Sequence, residues 1–361
     1  MKSNQIHITC VGDLFPADLP YHIGRGIAGK FALHKGHPWR ESLKSIFDGS
    51  DIGIANLESP LVYKRETLQK KTFAGDPLFA SFIKDIGLNL VSIANNHMLE
   101  HGAKNFYSTI DVLTESKIAP IGFNDDIGSR VYRYTRGESS VSFASFNSVH
   151  DLPNPSCYAD YSEENVLMTL EAMVGSDFKI LLFHWGDEYI NIPSYEQVES
   201  AKKFIEAGAD IIIGSHPHAI QPMMRHKNGI AIFSLGNFLF DMTFSEQVRT
   251  GMMAKIILEK GAVPQVTLHG VRIGHDYCPS YIAHDKFMAL YNRYDEYFKR
   301  CLSLSPEQYR AHYQKELRFK RAIQRTYMKK DIITNLHRLS YEEYKYLLCR
   351  VLQIRNNEKS D

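Results

Sequence analysis

The sequence predicts an α/β fold with mixed sheets and a helical C-terminal extension, on three observations. Short apolar, β-branched runs alternate with amphipathic stretches of helical length through most of the chain. Two hairpin patterns interrupt that alternation, so the sheets are mixed rather than purely parallel. From about Asp285 onward the strand-like runs stop and only helical periodicity remains. The boundary therefore falls between residues 1–284, an α/β domain, and 285–361, a basic helical extension.

Taken in order, the predicted strands are IHITCV, IGIAN, LNLVSIA, APIGF, KILLFHW, DIIIGS and IAIFSLG, each too short for a helix and rich in branched residues. Helices fall between them. DPLFASFIKDIG stops at Gly87, AKNFYSTIDVLTESK follows Gly102, and SYEQVESAKKFIEAGA opens with Ser194 and Gln197 spaced as a capping box. The hairpins are VYRYTRGESSVSFASF and GMMAKIILEKGAVPQVTLHGVRI, each with a glycine where the chain must turn. In the extension, Ser305, Pro306 and Gln308 form a helix start, and Ser340 with Glu343 repeats it ahead of a Tyr341, Tyr344, Leu348, Val351 stripe. Such an extension packs either on the main domain or on a second subunit, which makes a homo-oligomer one expectation.

Composition narrows the function. The 361 residues are 44% hydrophobic and 23% charged, and a net charge of +1 gives no global attraction to nucleic acid or to a membrane. That balance hides an asymmetry: Lys286 to the end holds 17 Lys+Arg against 9 Asp+Glu, most simply a solvated basic face. The five cysteines are scattered and form no C-x-x-C, so they read as reduced thiols. With no apolar leader in MKSNQIHITCVGD and no membrane-length apolar run, the expected location is the cytoplasm.

The chemistry gathers at the strand tips. Asp13 ends the first strand, Asn56 and Glu58 the second, Asn96 and His97 follow the third, His184 ends a fourth, and His216 and His218 lie in GSHPHAIQP behind a fifth. Ligands of open α/β sheets collect at the carboxyl ends of strands, so groups distant in sequence can converge. Each has a plain alternative: Asn96 as a turn residue, His184 as a satisfied core histidine, Glu58 as a helix-start carboxylate. The same coincidence at five tips points instead to a metal centre. Mixed carboxylate, amide and imidazole donors suit Mn²⁺, Fe²⁺ or Zn²⁺, and their number suits two divalent ions.

In this order VGDLF, ANLESPL, ANNHMLEHG, FHWGDEY, GSHPHAIQP and FSLGNFLFD resemble the CapA family of capsule and poly-γ-glutamate biosynthesis, over roughly residues 6–275. That family resembles calcineurin-like metallophosphoesterases, which implies an α/β/β/α sandwich. The resemblance also implies roles. Asp13 matches a metal carboxylate, Asn56 and Glu58 a bridging acidic motif, Asn96 a metal ligand, and His97 a group facing the substrate phosphate or leaving group. His184 and His216 match ligands of one ion, His218 of the other. Two departures stand out: the metallophosphoesterase superfamily's D-x-H is here Asp13-Leu14-Phe15, and the acid after the Asn-His pair is Glu100. One ion is thereby short of an imidazole, a gap that water or a nearby group such as Asp18 would have to fill. Asn237 is expected to brace the ligand loops. Glu188, Tyr189 and Gln221 either line the pocket or tie its loops, and Arg25, Arg65, Lys70 and Lys71 read as surface charges.

These roles describe a metal-dependent hydrolase of phosphoesterase type, a phosphatase or phosphodiesterase, acting on an anionic or phosphorylated small molecule or polymer. In that scheme His97, steadied by Glu100, protonates or stabilises the leaving oxygen. Two alternatives use the same residues: a non-hydrolytic assembly subunit that binds the polymer or a partner, and a γ-glutamyl amide hydrolase. Fold does not choose among them.

Overall fold

The computed structural model describes residues 4–357 apart from 64–66, 68–70, 125–129 and 155, with side chains as far as residue 349. Arg65, Lys70 and the side chain of Val351 lie outside the described residues. Strands β1 (Ile6–Leu14), β2 (Ile52–Leu57), β3 (Leu90–Ser92) and β4 (Ala119–Ile121) run parallel and side by side. Beyond β1 this sheet continues antiparallel through β12 (Thr250–Leu258), β13 (Gln265–Ile273) and β14 (Pro279–Tyr281). The second sheet has the order β5 (Tyr132–Arg136), β6 (Ser139–Asn147), β7 (Phe178–His184), β8 (Ile211–Ser215), β10 (Gly229–Leu235), β9 (Ile220–His226). Its middle is parallel and both edge pairs are antiparallel hairpins.

The two-residue alternation of the strands sorts their side chains into three apolar layers. Ile180 and Leu182 of β7 face the other sheet, meeting Ile8, Cys10, Ile52 and Ile54, while Leu181 and Phe183 face helices. Outside the first sheet lie α1 (Ile27–His34), α2 (His37–Phe47), α3 (Leu78–Asp85) and α4 (Gly102–Glu115), through Phe31, Leu43, Phe82 and Phe106. Outside the second lie α5 (Glu163–Ala172) and α6 (Tyr195–Glu206), through Val166, Leu170, Val198 and Phe204. The result is the α/β/β/α sandwich with mixed sheets.

The sheets meet at the carboxyl ends of their parallel strands. A short strand, β11 (Asn237–Leu239), leaves the second sheet and pairs with β1 so that Asp13 lies opposite Asn237. This approach requires glycine at position 12, where a Cβ would fall 1.8 Å from the carbonyl oxygen of Gly236.

After the short helix α7 (Glu246–Arg249), the C-terminal helices pack on this body. Helix α8 (His284–Leu302) puts Phe287 and Tyr291 into the layer between the sheets. Helix α9 (Pro306–Asn335) starts with the expected capping box of Ser305 and Gln308 and buries Tyr309, Tyr313 and Leu317 against the second helical layer. It then passes the site-bearing loops in turn. Tyr309 Oη donates to Pro193 O (3.0 Å), Gln324 Nε2 to Gln247 Oε1 (3.2 Å), and Asp331 reaches His22. Helix α10 (Tyr341–Asn357) follows, and its Tyr346 bonds to Thr72 (2.8 Å). Among the described residues no helix is long and apolar enough to cross a membrane.

Candidate metal centre

Every strand-tip residue named above lies at the junction of the sheets. Asp13, Glu58 and His218 form a fully buried group whose ligand atoms all lie within 4.8 Å of one another. His218 Nε2 stands 3.5 Å from Glu58 Oε1, and its Nδ1 lies 2.8 Å from Asn237 Oδ1. Asn237 Nδ2 in turn donates to Val248 O (2.9 Å), so it braces His218 as expected, the usual way an outer amide orients an imidazole. Beside this group His184 Nε2 lies 2.9 Å from Asn96 Oδ1, and the His184 and His216 rings sit 4.8 Å apart.

Asn56 faces the centre with its amide nitrogen. Nδ2 donates to Asp13 Oδ1 (2.9 Å) and Glu58 Oε2 (3.2 Å), while Oδ1 accepts from Asn95 Nδ2 (3.1 Å). His97 and Glu100 stand at the rim, 18% and 15% exposed, with Nδ1 3.2 Å from Oε1. Phe73 stacks on the His97 ring at 4.6 Å. Phe15, in the place of the expected imidazole, is wholly buried and stacked on Phe240 at 4.5 Å. Asp18 accepts from the backbone of Gly24 in its own loop (2.6 Å) and of Gly29 in helix α1 (3.1 Å). Gln221 donates to Ile190 O and Ile192 O, as a loop tie.

The electrostatics fit a cation. Burial, reinforced by Asp13, pushes the Glu58 carboxyl well above the usual carboxylate range. Burial raises Asp13 too, against the pull of His218 and Asn56. His184 and His216 are held well below the usual imidazole range, by burial first and then by the other histidines, so both rings are neutral with a lone pair to give. Two ligand-type atoms, Glu58 Oε1 and His216 Nδ1, are buried with no hydrogen-bond partner. Buried polar atoms are ordinarily satisfied, and a divalent ion bound by these donors would satisfy both.

Sequence reasoning did not single out Asn95, Ser215 or Asp151. Asn95 also accepts from the His97 backbone (3.2 Å), Ser215 Oγ lies 3.1 Å from His184 Nδ1, and Asp151 accepts from Asn96 Nδ2. The doubled asparagine of ANNH was a visible signal for Asn95; Asp151 lies in a loop without any pattern.

Fold and centre together define an α/β sandwich carrying a buried carboxylate and imidazole cluster where its two sheets meet. The chain belongs to the bacterial capsule synthesis protein family PGA_cap, whose model matches residues 7–242. It is 29% identical over 229 residues to the capsule biosynthesis protein CapA of Bacillus anthracis, covering 59% of this chain and 56% of that protein. To the PGA biosynthesis protein CapA of Bacillus subtilis (strain 168) it is 25% identical over 262 residues, 67% of each chain. The match thus spans little more than half of the first relative. A crystal structure of the 5'-nucleotidase from Candida albicans SC5314 aligns over 83% of this chain and 59% of its own, with 14% identity and a TM-score of 0.44. A likeness that distant carries no information on activity.

Proposed function

We propose that the chain is a metal-dependent hydrolase of phosphoesterase type that acts on a phosphorylated or polyanionic substrate of capsule or poly-γ-glutamate synthesis. One observation carries this reading: a buried donor set with orphaned ligand atoms lies beside a rim-exposed His97 and Glu100 pair. Asn96, His184 and His216 would hold one divalent ion, and Asp13, Glu58 and His218 a second. Asn56 braces the ligands, because its NH₂ group has no lone pair to donate. What a divalent ion supplies in such a setting is Lewis acidity toward water and a phosphoryl oxygen. Glu100 accepts from His97 Nδ1 and orients the ring, which leaves Nε2, 3.5 Å from the Asn96 amide nitrogen, as the atom that would take up a proton and pass it to the leaving oxygen. The stacked Phe73 fixes the ring plane.

Elemental analysis of the purified protein, with a phosphatase and phosphodiesterase screen under added Mn²⁺, Fe²⁺, Zn²⁺ and Mg²⁺, tests the reading. Metal that disappears in His216→Ala, together with turnover in the wild type, is the expected result. A protein free of transition metal that gains no activity with any of the four ions would sink it. A second reading, a non-hydrolytic polymer-binding subunit, draws on the buried Phe15, which leaves one ion an imidazole short.

A further inference from the structure

The C-terminal extension brings a cation to the loop that follows one of the proposed ligands. Arg321 lies on the face of helix α9 that also carries Leu317 and Gln324, and those two residues fix it from either side. Leu317 sits in the outer core, and Gln324 bonds to Ser245 (2.6 Å) and Gln247 (3.2 Å). Arg321 Nη2 donates to Asp187 Oδ1 (2.9 Å), and Tyr313 Oη donates to the other oxygen of the same carboxylate (2.9 Å). Asp187 follows His184 by three residues, so this anchor belongs to a ligand-bearing loop.

The Arg321 side chain remains 38% exposed. Only Nη2 has a hydrogen-bond partner among the described residues, which leaves part of its planar donor fork open. The same helix face borders the centre: Gln247, held by Gln324, donates to Tyr189 O (2.8 Å), and Tyr189 in turn donates from its backbone to Pro217 O (2.8 Å), between His216 and His218, with its ring 6.4 Å from that of His218. The family match ends at residue 242, so this arginine comes from chain beyond it.

We infer that Arg321 is a substrate-binding residue, holding an oxygen of a phosphate-bearing anion at the mouth of the metal centre. The inference rests on the phosphoesterase reading above. The alternative role for an arginine paired with Asp187 is a structural tether of helix α9, and the test separates the two roles. Inorganic phosphate is titrated by calorimetry into manganese-loaded full-length protein, and metal content is measured in parallel. Arg321→Gln should weaken phosphate binding about tenfold to a hundredfold, the range for losing one hydrogen bond to a charged group. Manganese content should not change. Arg321→Lys should recover part of the affinity, since it keeps the charge and loses the fork. Asp187→Asn, which breaks the tether and keeps the cation, should retain most of the affinity.

Phosphate binding in Arg321→Gln equal to wild type overturns the inference. So does an equal loss in Arg321→Gln and Asp187→Asn, the signature of a tether. Should Arg321→Gln lose its fold or its metal, Arg321→Lys decides, and wild-type affinity there overturns the inference. A wild type that holds manganese and takes up no phosphate overturns the phosphoesterase reading and this inference together.

Discussion

At the scale of single residues, His97 is set apart from the ligands by exposure and by partner: it meets Glu100 at the rim, whereas the ligand atoms of its neighbours are buried. His97→Asn should therefore keep its metal and slow turnover by about 10² or more, the usual scale for losing a general acid. Paired metal analysis and kinetics check this, and a variant that loses metal contradicts it. Phe15 makes a different prediction. Its ring has no lone pair, and Asp18, the nearby acid expected as a substitute, spends its oxygens on Gly24 and Gly29. The position built from Asp13, Glu58 and His218 should thus be the weaker, emptying first on dialysis; two equivalents retained with equal affinity would refute this. The ligand types were legible from the strand tips. The direction in which Asn56 points was not, because it is set by Asn95, a contact across strands that no local pattern encodes.

Among the elements, the helix starts were the most legible, since a capping box lies within four residues of sequence; those at Ser194 and Ser305 are both formed. What the long helix α9 touches was not legible. Its Asp331 meets His22 Nε2 at 3.5 Å, while His22 Nδ1 stands 3.4 Å from the buried Asp241. Burial alone would lower this imidazole, but the two carboxylates outweigh it and raise His22 from 6.5 to about 9. A raised folded-state pKa stabilises fully below the ordinary value of 6.5 and loses that contribution as pH climbs through about 9. Asp331→Asn should then cost on the order of 1–2 kcal/mol, because Asp331 is partly exposed. The deficit should be largest below pH 6.5 and fade toward pH 9. Denaturant melts across that range measure it, and a deficit that does not vary with pH would refute the clamp.

For the molecule as a whole, the sequence foresaw a helical extension and left its partner open between the main domain and a second subunit. The structure seats it on the main domain through Tyr309, Tyr313 and Leu317. A chain cut after Ser303 would lose four buried core side chains, Tyr309, Tyr313, Leu317 and Leu347, at about 1.5–3 kcal/mol each, and bare the layers beneath them. It should melt at a lower temperature and be cleaved more readily by protease, whereas an unchanged melt would mark the extension as dispensable. The junction of the sheets has a consequence in time. Asp13 accepts from the backbone of His216 across 203 residues of chain, and the donors on either side belong to different sheets. Contacts so distant along the chain close late, after the local strands and helices have formed. During refolding, tight metal uptake should therefore lag the recovery of backbone structure, so that a filled centre dates the moment at which both halves have joined.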